Sequence, residues 1–307
     1  MKRCIVLLFF VFPHFSFSQI EMVPGNDGIL FTENGKEVCY YQIEPKSADG
    51  KYSRCNYFHP LWGLNGEIIS EDFPSGHLHH RGVFWAWHQV LVNGNSVGNL
   101  WELKGIEQEV TEIEFAAQPS GSGIFKTEVL WKSTKRLKHN IIGPVIKETA
   151  LVTLHPRRGN FRRIDFEISL LALKDNVQLG GSNDDKGYGG FSVRMKLPSD
   201  VVFTGPKGIV EPNVNQVESP GWINISGSST EFSGRNGIAI LDHQSNTGYP
   251  QPWILRKERS MQNIVFPGRN PVNIPTEKPL VLRYSLLVHN GKLKPGTINR
   301  QTKNNRK

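Results

Sequence analysis

The chain has 307 residues, with 36 basic and 28 acidic side chains and a formal net charge of +8 at pH 7. This length suffices for one large core or two modest domains, and after the N-terminal region no segment is apolar enough to anchor in a membrane. The positive balance favours an anionic partner such as an acidic polysaccharide, although surplus lysine also serves solubility alone. Nucleic acid is disfavoured, because the chain lacks an aromatic and basic binding module.

The first 18 residues are predicted to be a signal peptide. Lys2 and Arg3 form a short basic region, residues 4–12 are apolar, and residues 16–18 supply the small side chains that a signal peptidase reads. The mature protein is therefore expected to begin near Gln19 and to be exported to the periplasm. After cleavage only Cys39 and Cys55 remain, and they are compatible either with one disulfide or with two lone buried thiols.

Short alternating runs separated by glycine and proline dominate the rest of the chain. Residues 28–43 are typical of a hairpin, with Asn34-Gly35 in the turn. In residues 161–171, Ile164, Phe166, Ile168 and Leu170 alternate with polar side chains. The pattern predicts an all-β fold, a large antiparallel β-sandwich in which two sheets pack face to face. We expect a single domain over residues 19–295 and a disordered basic tail over residues 296–307.

Residues 77–88 combine four imidazoles, one guanidinium and two indoles. Histidine titrates closest to neutral pH, so clustered histidines suit proton transfer or metal ligation. If the segment from Gly82 onward is a strand, Trp85 and Trp87 share the face that enters the core. The polar residues then lie at the mouth of a buried strand, which makes His79, His80 and Arg81 candidate site residues.

Three further segments carry candidate side chains. Residues 183–194 form a glycine-rich turn that opens a strand, and residues 242–253 form a polar loop after a strand. The third segment, residues 55–62, precedes an acidic pair at residues 71–72. A serine hydrolase is disfavoured because no Gly-x-Ser-x-Gly motif occurs. The candidates in these segments are Lys186, Tyr188, Arg194, His243, Asn246, Tyr249, Trp253 and His59.

No cofactor is predicted, but a divalent metal is left open. His59, His77, His79 and His80 are suitable ligands, and Glu71 or Asp72 adds a carboxylate. Their spacing matches no established zinc motif.

Five segments together resemble a known family. They are residues 57–62, 71–74, 79–87, 242–246 and 249–253, and they resemble the signature blocks of the bacterial family labelled PmoA, or methane oxygenase PmoA. The resemblance extends from about residue 25 to residue 292. It implies a soluble β-sandwich related to the galactose-mutarotase supersandwich, found among polysaccharide-degrading proteins of Bacteroidetes. It further implies periplasmic carbohydrate chemistry, such as the dehydration of uronic-acid-containing oligosaccharides from ulvan.

The leading hypothesis is a lyase that eliminates water from the non-reducing-end uronic acid of an acidic oligosaccharide, leaving a 4,5-unsaturated sugar. Such an enzyme needs a cation for the carboxylate, a base for the C5 proton and an acid for the departing hydroxyl. The candidates are Arg81 or Arg194 with Lys186 as cations, His80 or His243 as base, and Tyr188, Tyr249 or a second histidine as acid. Additional substrate contacts are assigned to Trp253, His79, His59 and Asn246.

Two other functions use the same residues. A mutarotase or epimerase moves a proton without loss of water. A non-catalytic module holds an acidic glycan on Trp253 and the basic turns.

Overall fold

The computed structural model describes residues 19–137, 140–229, 234–258 and 261–304. The predicted signal peptide and the last three residues of the tail lie outside this part. The elements of the described part are, in chain order, β1 (Ile20–Pro24), β2 (Gly28–Glu33), β3 (Lys36–Gln42), β4 (Lys46–Ala48), β5 (Lys51–Arg54), β6 (Tyr57–Leu61), β7 (Val83–Trp87), β8 (Gln89–Val92), β9 (Asn95–Gly98), β10 (Ile106–Ala117), β11 (Gly123–Leu137), β12 (Asn140–Leu154), β13 (Phe161–Ala172), β14 (Val177–Gly180), β15 (Gly189–Val193), β16 (Val202–Gly205), β17 (Gly208–Ile209), β18 (Trp222–Ser228), β19 (Arg235–Asp242), β20 (Trp253–Ile254), β21 (Gln262–Ile264), β22 (Val272–Asn273), β23 (Leu280–Asn290) and α1 (Pro295–Asn304).

Two large antiparallel sheets form the fold, which confirms the predicted class. The first sheet has eight strands in the order β1-β2-β3-β6-β7-β15-β21-β20, and the second has nine in the order β10-β11-β12-β13-β23-β19-β18-β16-β17. Smaller sheets of four strands (β22-β14-β8-β9) and two strands (β4-β5) are also present. In the described residues, no helix is both long and apolar enough to cross a membrane.

The core lies between the two large sheets. Along β13, Ile164, Phe166, Ile168 and Leu170 are buried while the residues between them are partly exposed, as their alternation predicts. The ring of Phe58, from the first sheet, meets the ring of Phe166 at 5.6 Å between centroids. The inner faces of the two sheets are therefore in direct contact.

A buried carboxylate also joins the sheets. Glu148 in β12 accepts hydrogen bonds of 2.8 Å from Trp85 Nε1, Trp131 Nε1 and Asn56 Nδ2. Burial raises the pKa of this carboxyl to about 7. Because three donors converge on one acidic group, Glu148 fixes the orientation of both indoles.

The structure confirms the predicted hairpin and decides between the two alternatives for the cysteines. The hairpin of β2 and β3 turns through Asn34 and Gly35, whose φ angles are 52° and 73° as a type I′ turn requires. Cys39 and Cys55 are both buried and free, so the structure contains two lone thiols and no disulfide between them.

The prediction of a disordered tail from residue 296 is wrong for residues 296–304. These residues belong to α1, where Ile298 is fully buried. Ile298 and Leu293 pack with Trp222, Leu241 and other residues on the outer face of the second sheet. The basic composition concealed this single apolar contact, which is enough to dock one short helix.

Candidate functional site

Strand β7 separates the core from the candidate site. Trp85 points into the core, whereas Phe84 points outward, where its ring lies 4.7 Å from the guanidinium carbon of Arg54. Trp101 packs on the same outer side, 5.7 Å from Phe84 between ring centroids. We call the cluster of side chains around this outer side of β7 the histidine face, consisting of Arg54, His77, His79, His80, His88, Trp101, Tyr188 and Arg194.

The turn before β7 gathers three of the histidines. The backbone N–H of His77 donates to the Pro74 carbonyl at 3.0 Å, and that of His80 donates to the His77 carbonyl at 2.9 Å. Gly76, with φ of 78°, provides the left-handed conformation that this tight chain path requires. The turn therefore brings imidazoles from positions 77, 79 and 80 to one place.

The three imidazoles are in ring contact. His80 stacks on His77 with 4.8 Å between centroids and meets His79 edge-on at 4.4 Å. Nδ1 of His77 and Nδ1 of His80 are enclosed and have no hydrogen-bond partner. Because buried polar groups normally find a partner, two unpartnered ring nitrogens set this turn apart from an ordinary structural turn.

Arg81 supports this turn and is not available to a substrate, which corrects its predicted catalytic role. Its guanidinium donates to the carbonyls of Leu78 and Tyr52, pairs with Asp72 at 3.3 Å and lies 3.3 Å from the ring centroid of Phe73. The side chain is completely enclosed. Because it is enclosed, the guanidinium holds neighbouring segments together and does not reach a substrate.

Arg54 is a buried cation without an ion-pair partner among the described residues. Nη2 donates to the Leu100 and Trp101 carbonyls at 2.7 and 3.3 Å, but Nε and Nη1 have no partner. Burial, reinforced by the nearby charge of Arg81, lowers the pKa of Arg54 to about 9. An uncompensated buried guanidinium is costly, so this position favours an anion.

Arg194 provides a second buried guanidinium. It follows β15 and is only 5 % exposed. Its Nε donates to Glu71 Oε2 at 2.7 Å, while Nη1 is enclosed without a partner. The charge of Arg194 contributes to the low pKa values of both His77 and His80, which places the guanidinium beside them.

Aromatic rings line the other side of the histidine face. Trp101 stacks on His88 at 5.1 Å and contacts Tyr188 at 5.4 Å between centroids. Tyr188 also lies 5.7 Å from the guanidinium carbon of Arg256. Tyr188 and His88 are partly exposed, whereas Trp101 is buried. A ligand therefore meets the edge of this group at Tyr188 and His88.

The imidazoles of the histidine face are held in the neutral form at pH 7. Burial lowers the pKa of His79 and of His88 to about 4, and the charge of Arg54 adds to the effect on His79. Burial and the neighbouring His79 push the pKa of His80 much further down. A neutral imidazole has a free lone pair, so these rings are in the form that a general base requires.

Two other predicted residues lie close by. His59 in β6 is partly buried, with Nδ1 2.8 Å from Ser70 Oγ, and burial lowers its pKa to about 4. Lys186 lies in the turn before β15, where its backbone N–H donates to Asp184 Oδ1 at 3.0 Å. Lys186 and Tyr188 belong to the same turn, consistent with their prediction as one group.

The loop at residues 242–253 lies elsewhere, so its members do not join the histidine face. His243 borders a cavity of about 220 Å³ on the outer face of the second sheet, with Arg283 and Glu167. Tyr249 approaches Gly221, which precedes β18 in that same sheet. Because the histidine face lies on the outer side of the first sheet, the alternative base His243 and the alternative acid Tyr249 do not share a site with His80.

Asn246 and Trp253 have structural roles, which corrects their predicted substrate contacts. Asn246 is buried and donates to Asp242 Oδ1 at 2.8 Å and to the Arg283 carbonyl at 2.7 Å. Trp253 is fully buried and donates through Nε1 to the Ser219 carbonyl at 2.8 Å. A sugar ring has no access to the face of this indole.

A cavity of about 460 Å³ opens beside His79. It is bordered by Tyr52, Leu78, Glu102 and Lys104 among other residues. This volume lies within the range of about 300–1,000 Å³ that is typical of small-molecule sites. Among the described side chains, no group of three or more His, Cys, Asp or Glu is arranged to hold a metal ion.

Sequence reasoning missed Arg54 and Trp101. Arg54 ends the short strand β5, and Trp101 lies in a turn without a recognisable motif. Neither has a local pattern that marks it, because both reach the histidine face through the fold of distant segments. His88 carried a usable signal, namely its place on the outward face of the strand with Phe84.

The chain matches the model of a protein family over most of its length. Residues 29–303 match the model of a family of unknown function, DUF6807. No curated protein matches the chain.

Proposed function

We propose that this chain, which belongs to the DUF6807 family, is an enzyme that eliminates water from the terminal uronic acid of an acidic oligosaccharide. The observation that carries the proposal is the juxtaposition of two buried guanidiniums, Arg54 and Arg194, with the stacked imidazoles of His77, His79 and His80. Both guanidiniums keep unpartnered N–H groups. Buried positive charge beside neutral imidazoles supplies the two parts that a uronate carboxylate and its C5 proton require.

Arg194 is assigned to the carboxylate, while Arg54, which is fully buried, adds positive charge behind the imidazoles without touching the substrate. A guanidinium binds a carboxylate through paired, charge-assisted hydrogen bonds. Neutralising the carboxylate stabilises the negative charge that develops when the neighbouring C5–H bond breaks. The contact of Nε with Glu71 fixes the orientation of Arg194, whose side chain keeps 6 % exposure.

His79 and His80 are assigned to the base. His79 borders the open cavity, and His80 is enclosed behind it at 4.4 Å between ring centroids. The base takes the C5 proton, and the electron pair of the C–H bond becomes the C4–C5 double bond. The bound carboxylate raises the affinity of these imidazoles for protons, which offsets the low pKa that burial imposes.

Tyr188 is assigned to the acid, with His88 as its neighbour across Trp101. Tyr188 is partly exposed on the histidine face. The acid gives its proton to the 4-hydroxyl, which leaves as water with the electron pair of the C4–O bond. One proton is removed and one is supplied, so the reaction needs no oxidant or reductant.

The setting of this activity follows from the predicted signal peptide and the family resemblance. An exported protein meets oligosaccharides in the periplasm during polysaccharide degradation, and ulvan fragments carry terminal uronates. The basic charge of the chain favours such anionic substrates over neutral ones.

Hydrogen exchange at C5 separates elimination from isomerisation. Incubation with a saturated terminal uronate in D₂O, followed by NMR, is expected to show loss of the H5 signal together with a new vinylic H4 signal. Incorporation of deuterium at C5 in a saturated product would establish an epimerase instead. Binding without either change would leave a glycan-binding module.

A further inference from the structure

A second cavity lies at one end of the sandwich, away from the histidine face. It has a volume of about 820 Å³. Its rim consists of three turns, at residues 34–37, 63–66 and 157–159, and its wall includes Glu33 and Arg162. The cavity is therefore bounded by both large sheets and has no part in the proposed elimination.

A buried ion pair forms the wall of this cavity. Arg162 in β13 is 5 % exposed and donates through Nη2 to Glu33 Oε2 of β2. The other carboxylate oxygen accepts the backbone N–H of Arg157 at 2.8 Å. Nε of Arg162 is enclosed and has no hydrogen-bond partner. Glu33 thus accepts from Arg162 and from the backbone of Arg157, while Nε of Arg162 makes no hydrogen bond.

Further cations stand at the rim. Arg157 is exposed, and its guanidinium is held by the carbonyls of Gly159, at 2.8 Å, and Leu64, at 3.4 Å. Lys36 is exposed on the opposite turn. With Arg162, three cations border the cavity against the carboxylates of Glu33 and Glu37. The excess of basic over acidic side chains at this cavity favours an anionic ligand.

We propose that this cavity is a second carbohydrate-binding site that takes a charged residue of an acidic oligosaccharide. The turns at its rim place polar side chains and backbone around the opening, as a ring bearing several hydroxyls needs. Leu64 supplies an apolar floor. The ligand class follows the proposed function, but the site is distinct, and binding here does not depend on turnover at the histidine face.

The test uses a chondroitin sulfate tetrasaccharide, which carries uronate and sulfate groups, and the full-length mature protein. Titration is followed by the backbone amide NMR signals of Gly63, Gly66 and Gly159, three glycines that border the cavity. We expect saturable shifts of these signals, and Arg157→Ala is expected to weaken this binding at least tenfold. The matched control is Arg158→Ala, since Arg158 has the same charge in the same turn but does not border the cavity.

The outcomes distinguish this site from the proposed activity. Unchanged rim signals, or equal weakening by both arginine substitutions, would overturn the second site, because charge alone would then explain the binding. His80→Ala is expected to leave the rim shifts intact while abolishing elimination. If the wild type shows rim shifts but never eliminates water, the proposed activity fails and the second site stands.

Discussion

The imidazole of His80 stacks on that of His77 with 4.8 Å between ring centroids and 16° between ring planes. Two protonated imidazoles in this arrangement would repel each other, so the stack requires at least one neutral ring. Burial lowers the pKa of both residues and meets that requirement. The stack is therefore stable as a neutral pair. Binding of an anionic ligand beside it would raise the pKa of these imidazoles and favour protonation.

Binding of a uronate is expected to take up protons. With the pKa of His79 and His88 at about 4 in the free protein, a bound carboxylate raises these values, so the complex holds more protons than the free protein at about pH 5. Affinity should increase as the pH falls from 7 to about 5. Calorimetric titration in buffers of different ionisation enthalpy measures the uptake. The methyl ester of the same sugar is the control, and its binding should show no proton uptake. Release of protons when the free uronate binds would contradict the assignment.

Replacing Arg194 with lysine is expected to impair recognition of the carboxylate. Lysine keeps the charge but loses the planar fork, so KM for a uronate substrate should rise about tenfold or more. The matched control is Arg283→Lys, because Arg283 is also paired with a glutamate, Glu167, at 2.8 Å but lies on the second sheet. Steady-state kinetics of the two variants check this. Equal KM values would remove Arg194 from the substrate site.

The fold was largely predictable because it depends on local alternation. The period-two pattern of β13 and the Asn34-Gly35 turn each specify their own structure within a few residues. The C-terminal helix was not predictable, because α1 depends on the contact of Ile298 with an apolar patch on strands that are distant in sequence. A net basic composition carries no information on such a contact.

The candidate site was predictable only where its residues are neighbours in sequence. The histidine turn and its strand supplied His79 and His80 together, and the glycine-rich turn supplied Tyr188 and Arg194. The polar loop with His243 looked equally suitable, but the order of strands within the sheets places it on the opposite side of the sandwich. Sequence alone does not say which face of a sandwich a loop crosses.

Tyr188→Phe is expected to lower kcat strongly with little effect on folding. The phenyl ring keeps the contact with Trp101 but cannot donate a proton, and loss of a general acid costs about 10²- to 10⁴-fold in rate. Tyr249→Phe is the matched control, because Tyr249 lies in the loop at residues 242–253. Single-turnover rates and melting temperatures of both variants check the prediction. A Tyr188→Phe enzyme with wild-type kcat would require a different acid, with His88 the next to be replaced.

Glu148→Gln is expected to destabilise the fold, because an amide NH₂ would face N–H donors that now converge on the carboxylate. The expected loss is about 1–3 kcal/mol in the free energy of unfolding. The folded-state pKa of Glu148 is raised to about 7 from 4.5, so its contribution is most favourable below the unfolded pKa and weakens as the pH rises through about 7. The deficit of the variant should therefore be larger at about pH 5 than at about pH 8. Urea unfolding at both pH values measures it, and an equal deficit at both would show that the carboxyl is ionised throughout.

The most direct test of the proposed function is absorbance at about 235 nm, with mass spectrometry, during incubation with oligosaccharides that end in a saturated uronate. The account predicts a rise in absorbance, a product lighter by one water (about 18 Da), and loss of both in His80→Ala but not in His243→Ala. The two variants separate the histidine face from the opposite side of the sandwich, and their circular dichroism spectra report whether each is folded. No absorbance change with any terminal uronate, while the oligosaccharides still bind, would contradict the elimination.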